Sequence, residues 1–275
     1  MTNYSFVYSG SPPTSVTLTS GDVELVYGSA YDTTVSSGGN EDINGGGLVV
    51  STTVSSGGYE VISANGVASD TIIGSGGTQI ILPGGSAVAP DLEAGGIVIT
   101  GGVVAFSQGL VVAATSGTAS GLSGLSMDVV YNGGVTIGAT YSAGATEVVS
   151  SGGVTSDSII STGDYSDIFS GGVAASGTID NGGEQIVFAG GVASGTVVSK
   201  GGIENDQGGV TSETTLRGGV ERLYGTSAVG TTSAAPAPFT SSAVPQPVSR
   251  RSTAAAQRMF PTAARLSARR ATPAT

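Results

Sequence analysis

The sequence predicts an all-β fold, a parallel β-solenoid of about eleven short coils with a disordered C-terminal tail. Three observations carry this. Glycine doublets recur at alternating intervals of about eleven and eight residues, a unit of about nineteen. They run Gly38-Gly39, Gly46-Gly47, Gly57-Gly58, then Asn65-Gly66, Gly76-Gly77, Gly84-Gly85 and Gly95-Gly96. They resume at Gly133-Gly134, Gly152-Gly153, Gly171-Gly172, Gly182-Gly183, Gly190-Gly191 and Gly201-Gly202. The segments between them are short and β-branched, and no window has a helical period. Finally, the 275 residues include 47 Gly, no Trp and no Cys, yet 39% are hydrophobic. That is too apolar for simple disorder and too poor in large side chains for an ordinary core.

In chain order, residues 1–20 read as an N-terminal capping strand segment, with Tyr4, Phe6 and Tyr8 alternating with small polar residues. Residues 21–231 form the repeat domain, and each unit has two arms. The shorter arm places a polar residue before an apolar pair, as in Glu24-Leu25-Val26, Glu60-Val61-Ile62, Gln79-Ile80-Ile81 and Asp167-Ile168-Phe169. The longer arm places Thr or Ser before a β-branched residue, as in Thr34-Val35, Thr53-Val54, Thr71-Ile72 and Thr178-Ile179. Gly-Gly supplies the tight corners between arms. Nineteen residues span a perimeter of about 60 Å, enough for two or three short strands, and coils stack at about 4.8 Å. Position i then lies over i+19. Val35, Val54 and Ile72 are expected to form an inward ladder, with Thr34, Thr53 and Thr71 facing out. The doublets change phase between about Gly95 and Gly144, so residues 95–144 are read as irregular coils with an insertion.

Charge divides the chain. Residues 1–231 hold all twenty acidic residues against Lys200, Arg217 and Arg222, a balance of −17. Such a body repels nucleic acid. Residues 232–275 carry six Arg, no acid and six of the ten prolines, and are predicted to be disordered. A native linker and out-of-frame translation both fit that composition, and an arm for anionic polymer is a third reading. No segment is long and apolar enough to span a membrane as a helix. Met1 to Ser20 lacks the pattern of a secretory signal peptide.

Catalytic residues are expected to be none. Without His or Cys, Ser-His-Asp, Cys-His and zinc chemistry fall away. Glu41 and Glu60, one coil apart, are close enough for a carboxylate pair, but the sequence favours a solvated acidic edge. Gln79 and Gln185 in the same column relieve like-charge repulsion there. No metal or cofactor is expected. The doublets lack the Gly-x-Asp continuation of a calcium roll, and no segment ends like a phosphate loop. Most coils offer one Thr rather than the Thr-x-Thr of an ice-binding face. The residues singled out are the turn glycines Gly38, Gly39, Gly57, Gly58, Gly76, Gly77, Gly152, Gly153, Gly171, Gly172, Gly190 and Gly191.

Gly163 to Gly202, GDYSDIFSGGVAASGTIDNGGEQIVFAGGVASGTVVSKGG, and Gly57 to Gly77, GGYEVISANGVASDTIIGSGG, resemble the nineteen-residue repeats of AIDA-type autotransporter adhesin passenger domains. The resemblance covers roughly residues 21–230. It implies a right-handed parallel β-helix on a bacterial surface, acting in self-association, attachment or biofilm. It also implies O-glycosylation on the longer arm, with Thr71, Thr178 and Thr196 as matching positions, and so a glycosyltransferase as partner. Other copies of the chain and surface glycans or proteins are the further partners expected. The chain departs from the family pattern at both ends, as a passenger fragment, a truncated product or a relative exported differently would. The contrasting reading is a β-helix polysaccharide-degrading enzyme or tailspike-like glycan binder, disfavoured by the few cations and aromatics.

Overall fold

The computed structural model describes residues 2–11, 15–224, 228–233 and 240–241, and these form an all-β parallel solenoid of about twelve turns. Each coil carries three short strands, and strands of successive coils pair in parallel with a nineteen-residue register, as in Glu41↔Glu60, Val49↔Ala68 and Val54↔Ile73. Most of the tail expected to be disordered lies outside the described residues. Within it, Thr232–Ser233 and Thr240–Ser241 still pair with the coil before them.

Two of the three corners are the doublets, and their two glycines serve different ends. The first holds a left-handed backbone, φ +78° at Gly38. The second lies against the coil above, where a Cβ on Gly39 would sit 2.7 Å from the Leu18 carbonyl oxygen. The third corner has no doublet. Asp32, Ser51, Asp70 and Ala89 occupy it at φ 54°, 63°, 57° and 48°, as do Asp157, Ser176 and Glu213 later. Short polar side chains tolerate this conformation better than most.

The nineteen-residue register corrects the expected ladder, because Ile72 lies eighteen residues after Val54 and Ile73 nineteen. After Asp70 the chain turns Thr71 inward, Ile72 outward and Ile73 inward, so Ile73 continues Val35 and Val54 while Ile72 is 39% exposed. Thr34 and Thr53 do face out, but Thr71 stacks in the inner column. Asp167 also differs from its expected place: Glu147 pairs with Ser166 and then Gln185, which puts Asp167 on the opposite face.

The phase change is a break between two solenoids. The first comprises sheets of six, four and five strands up to Ile99. Gly102–Ser107 then runs antiparallel to both Leu110–Thr115 and Leu125–Tyr131 and opens the nine-stranded sheet of the second. The two pack by the outer faces of their longest sheets. Val61, Ile80 and Ile99 from the first meet Val104, Phe106, Met127, Val129 and Val148 from the second in one buried cluster. The Tyr131 hydroxyl donates to the Ile81 carbonyl at 3.0 Å, and the Tyr4 hydroxyl donates to the Gln108 carbonyl at the hairpin tip. The five-stranded sheet of the first solenoid ends at Leu92, an inward position left 53% exposed. Pro90, Asp91 and Glu93 blunt that edge against further strand pairing.

Candidate interaction surfaces

Inside each solenoid runs a polar column. Glu24, Glu41, Glu60 and Gln79 stack in register in the first, and Asp128, Glu147, Ser166, Gln185, Glu204 and Glu221 in the second. Glu41 and Glu60 have no exposed surface, so the expected solvated edge is an interior ladder and no substrate reaches that pair. The cause is register: Ile43 and Ile62 must face the core, and so must residues two before them on the same strand.

Hydroxyls from the third strand meet this column across the coil. Thr52 donates to Glu41 at 2.9 Å, Thr71 to Glu60 at 2.9 Å and Ser158 to Glu147 at 2.7 Å, each eleven residues apart. The Gln79 amide donates to Glu60 at 2.6 Å. The Gln185 amide instead donates to Ser166 at 3.4 Å. Burial pushes the Glu60 carboxyl up to about 7, opposed by the Gln79 and Thr71 hydrogen bonds. Burial, then the charge of Glu147, pushes Asp128 up to about 8, and burial raises Glu204 to about 7. Glu41 is raised by burial first, then by Glu60 and Glu24. At neutral pH Glu60 and Glu204 are then about half protonated and Asp128 mostly so, and no cation among the described residues faces them.

The matching positions for modification fall on both sides of the wall. Thr71 and Thr196 are each 1% exposed, with Thr196 reaching Gln185, whereas Thr178 is half-buried on an outer face. An enzyme acting on the folded coil reaches Thr178 alone of the three. Of the turn glycines, Gly38, Gly57, Gly76, Gly152, Gly171 and Gly190 take the left-handed conformation. Gly39, Gly58, Gly77, Gly153, Gly172 and Gly191 take the close approach to the preceding coil.

Among the outer faces, that of the second strand stands apart. Val135, Val154, Val173, Val192 and Val210 lie in register on it, with Ile137, Ser156, Ala175, Ser194 and Ser212 beside them. Neither column holds a charge. The first solenoid repeats the pattern with Leu48 and Val67 beside Val50, Ser69 and Val88. The other faces are charged, with Asp91 and Arg217 on the third strand and Glu184 and Arg222 on the longest. The sequence reading had not singled out the valines, although their nineteen-residue recurrence is visible in it. Among the described residues, no three of His, Cys, Asp and Glu gather to hold a metal ion.

No family model matches the chain, and no curated protein matches it. Among solved structures, it is similar to a TibC-catalysed hyper-glycosylated fragment of TibA, residues 55–350. The identity is 23%, over 88% of this chain and 97% of that chain, with a TM-score of 0.32.

Proposed function

We propose that the chain is a bacterial surface or secreted adhesin-like repeat protein that joins cells by self-association and attachment, contributing to biofilm. The observation carrying this is the uncharged valine face on a body with a net charge of −17. Two copies meeting there bury apolar surface without desolvating a charge. Five rungs by three residues make about 200 Å². A stable pair needs roughly 800 Å² per partner. Each contact is therefore weak, and adhesion comes from many copies on one cell through avidity. Screening the acidic bodies with salt strengthens it. In this reading a glycosyltransferase acts on outward-facing hydroxyls such as the half-buried Thr178, while Thr71 and Thr196 are modified only before folding.

The test displays the chain on non-aggregating cells and compares it with Val154→Lys and Val192→Lys. Both changes lower the net charge, so electrostatics alone favours association. Sedimentation of the displaying cells is expected to slow at least tenfold in the double variant. Unchanged sedimentation, or none with the parent chain at any salt concentration, refutes the proposal.

A further inference from the structure

One coil of the first solenoid is short. Asn3 pairs with Asp22 and Ser29 with Leu48, nineteen residues on in each case, but Val23 pairs with Asn40, only seventeen on. The two missing residues belong to one corner, where Val26 is three residues from Ser29 while Ile43 is five from Leu48. The corners on either side are alike. Gly10 follows Val7 by three residues and Gly46 follows Ile43 by three, at φ +87° and +91°. A Cβ on either would meet nothing within 4 Å, whereas one on Gly84, in the unbroken part of this column, lies 3.2 Å from Ala64. The recessed corner leaves a notch of about 620 Å³ beside Tyr31 and Asp32. From Gly10 to Gly46 is two rungs, about 10 Å.

The missing corner also leaves two backbone groups unmet. Along this column each corner amide donates to the next coil, Gly46 to the Asn65 carbonyl at 3.0 Å and Asn65 to the Gly84 carbonyl at 2.8 Å. By that pattern the Gly10 amide and the Gly46 carbonyl should both meet the corner that is absent. Among the described residues neither group has a hydrogen bond, and both glycines are exposed.

We propose that this notch binds an N-acetylhexosamine, whose acetamido group takes the place of the missing peptide. A planar secondary amide offers an N–H to the Gly46 carbonyl and a C=O to the Gly10 amide, the same two groups that a corner peptide offers over the same two rungs. The sugar ring has an apolar face for Tyr31, which is 39% exposed, and hydroxyls for the Asp32 carboxylate and Ser29. A bare peptide supplies the amide but not those hydroxyls, and an anionic sugar is repelled by a body with a net charge of −17. The site stands on the notch alone and does not depend on self-association through the valine face.

The test titrates the purified chain with the methyl glycosides of N-acetylglucosamine and N-acetylgalactosamine, with those of glucose and galactose, and with N-acetyl-dialanine methylamide as a bare peptide. At least one N-acetylated glycoside is expected to bind at least tenfold more tightly than its parent hexose and than the peptide. Inserting Gly-Gly between Tyr27 and Gly28 restores a nineteen-residue coil, closes the notch and is expected to abolish that binding. Asp32→Asn, whose side chain tolerates the φ of 54° there, is expected to weaken it at least fivefold. Circular dichroism checks that both variants keep their strands. Sedimentation of displaying cells stays at the parent rate in both, which separates this site from the valine face. Equal binding of the parent hexose, binding of the peptide alone, binding of no ligand, or N-acetylhexosamine binding that survives either change overturns the proposal.

Discussion

A glycine doublet compresses two constraints into one dipeptide. At Gly46 the backbone sits at φ +91° and a Cβ would meet nothing within 4 Å, whereas at Gly47 it would run into the Val26 carbonyl. The chain itself shows the difference, because Asn65 stands where Gly46 and Gly84 stand while Gly66 does not vary. Gly46→Asn is therefore expected to change stability by less than about 0.5 kcal/mol. Gly47→Ala is expected to cost about 3 kcal/mol by parting two coils. Chemical denaturation of the two variants checks this, and equal costs refute it. The eleven-residue pairing of Glu41 with Thr52 and Glu60 with Thr71 was equally legible as spacing. Which way those side chains pointed was not, because the third corner consumes one residue in a left-handed conformation that a glycine marks in only some coils, as at Gly121, Gly138 and Gly195.

At the scale of elements, the break in phase creates the joint. A coil can continue only if the next strand pairs in parallel with the one before it, and Gly102–Ser107 instead pairs antiparallel with Leu110–Thr115 and Leu125–Tyr131 in the second solenoid. The outer column of the longest sheet then has two roles. At Val61, Ile80 and Ile99 it is apolar because another sheet covers it, a burial that a period of nineteen alone does not forecast, while Asp42 is the buried polar member of the same column between Leu25 and Val61. Val129→Asp sets an unpaired carboxyl into that cluster, costing several kcal/mol of sheet-to-sheet packing. Each solenoid keeps its own interior, through Ile43, Val49 and Ile62 in one and Val130, Val149 and Ile168 in the other. Thermal unfolding of this variant is expected to split into two transitions. A single transition at a uniformly lowered Tm contradicts separate cores.

Across the whole molecule, the interior carboxyls make stability depend on pH in an unusual sense. Glu60, Asp128 and Glu204 have folded pKa values of about 7, 8 and 7, above their ordinary range near 4. Between those limits the folded chain keeps protons that the unfolded chain releases, so stability falls as pH rises. It is full below about pH 4 and lost progressively up to about pH 8. For Glu60, moving from 4.5 to about 7 corresponds to at most about 3 kcal/mol. Repulsion within the acidic body acts in the same direction. Tm is expected to be lower at pH 8.5 than at pH 4.5. Glu60→Gln, which copies the amide already present at Gln79 one rung on, is expected to raise Tm at pH 8.5 and leave it unchanged at pH 4.5. A Tm that rises steadily with pH contradicts the ladder's protonation.

The sequence by itself determined the coil: its length, its doublet corners, its parallel stacking and the place where stacking fails. Those properties are local or periodic, and glycine, β-branched and polar residues report them at each position. Only the tertiary structure decided which columns face inward and what covers the outer ones. Counting eighteen residues from Val54 instead of nineteen exchanges Ile72 for Ile73, and alternation then sends every neighbour to the other side of the wall. Glu41 and Glu60 pass from an expected edge to the interior because they share the inward face of Ile43 and Ile62, two residues on along the same strand. The cluster around Phe106 exists because two solenoids meet there, and no single repeat contains that contact.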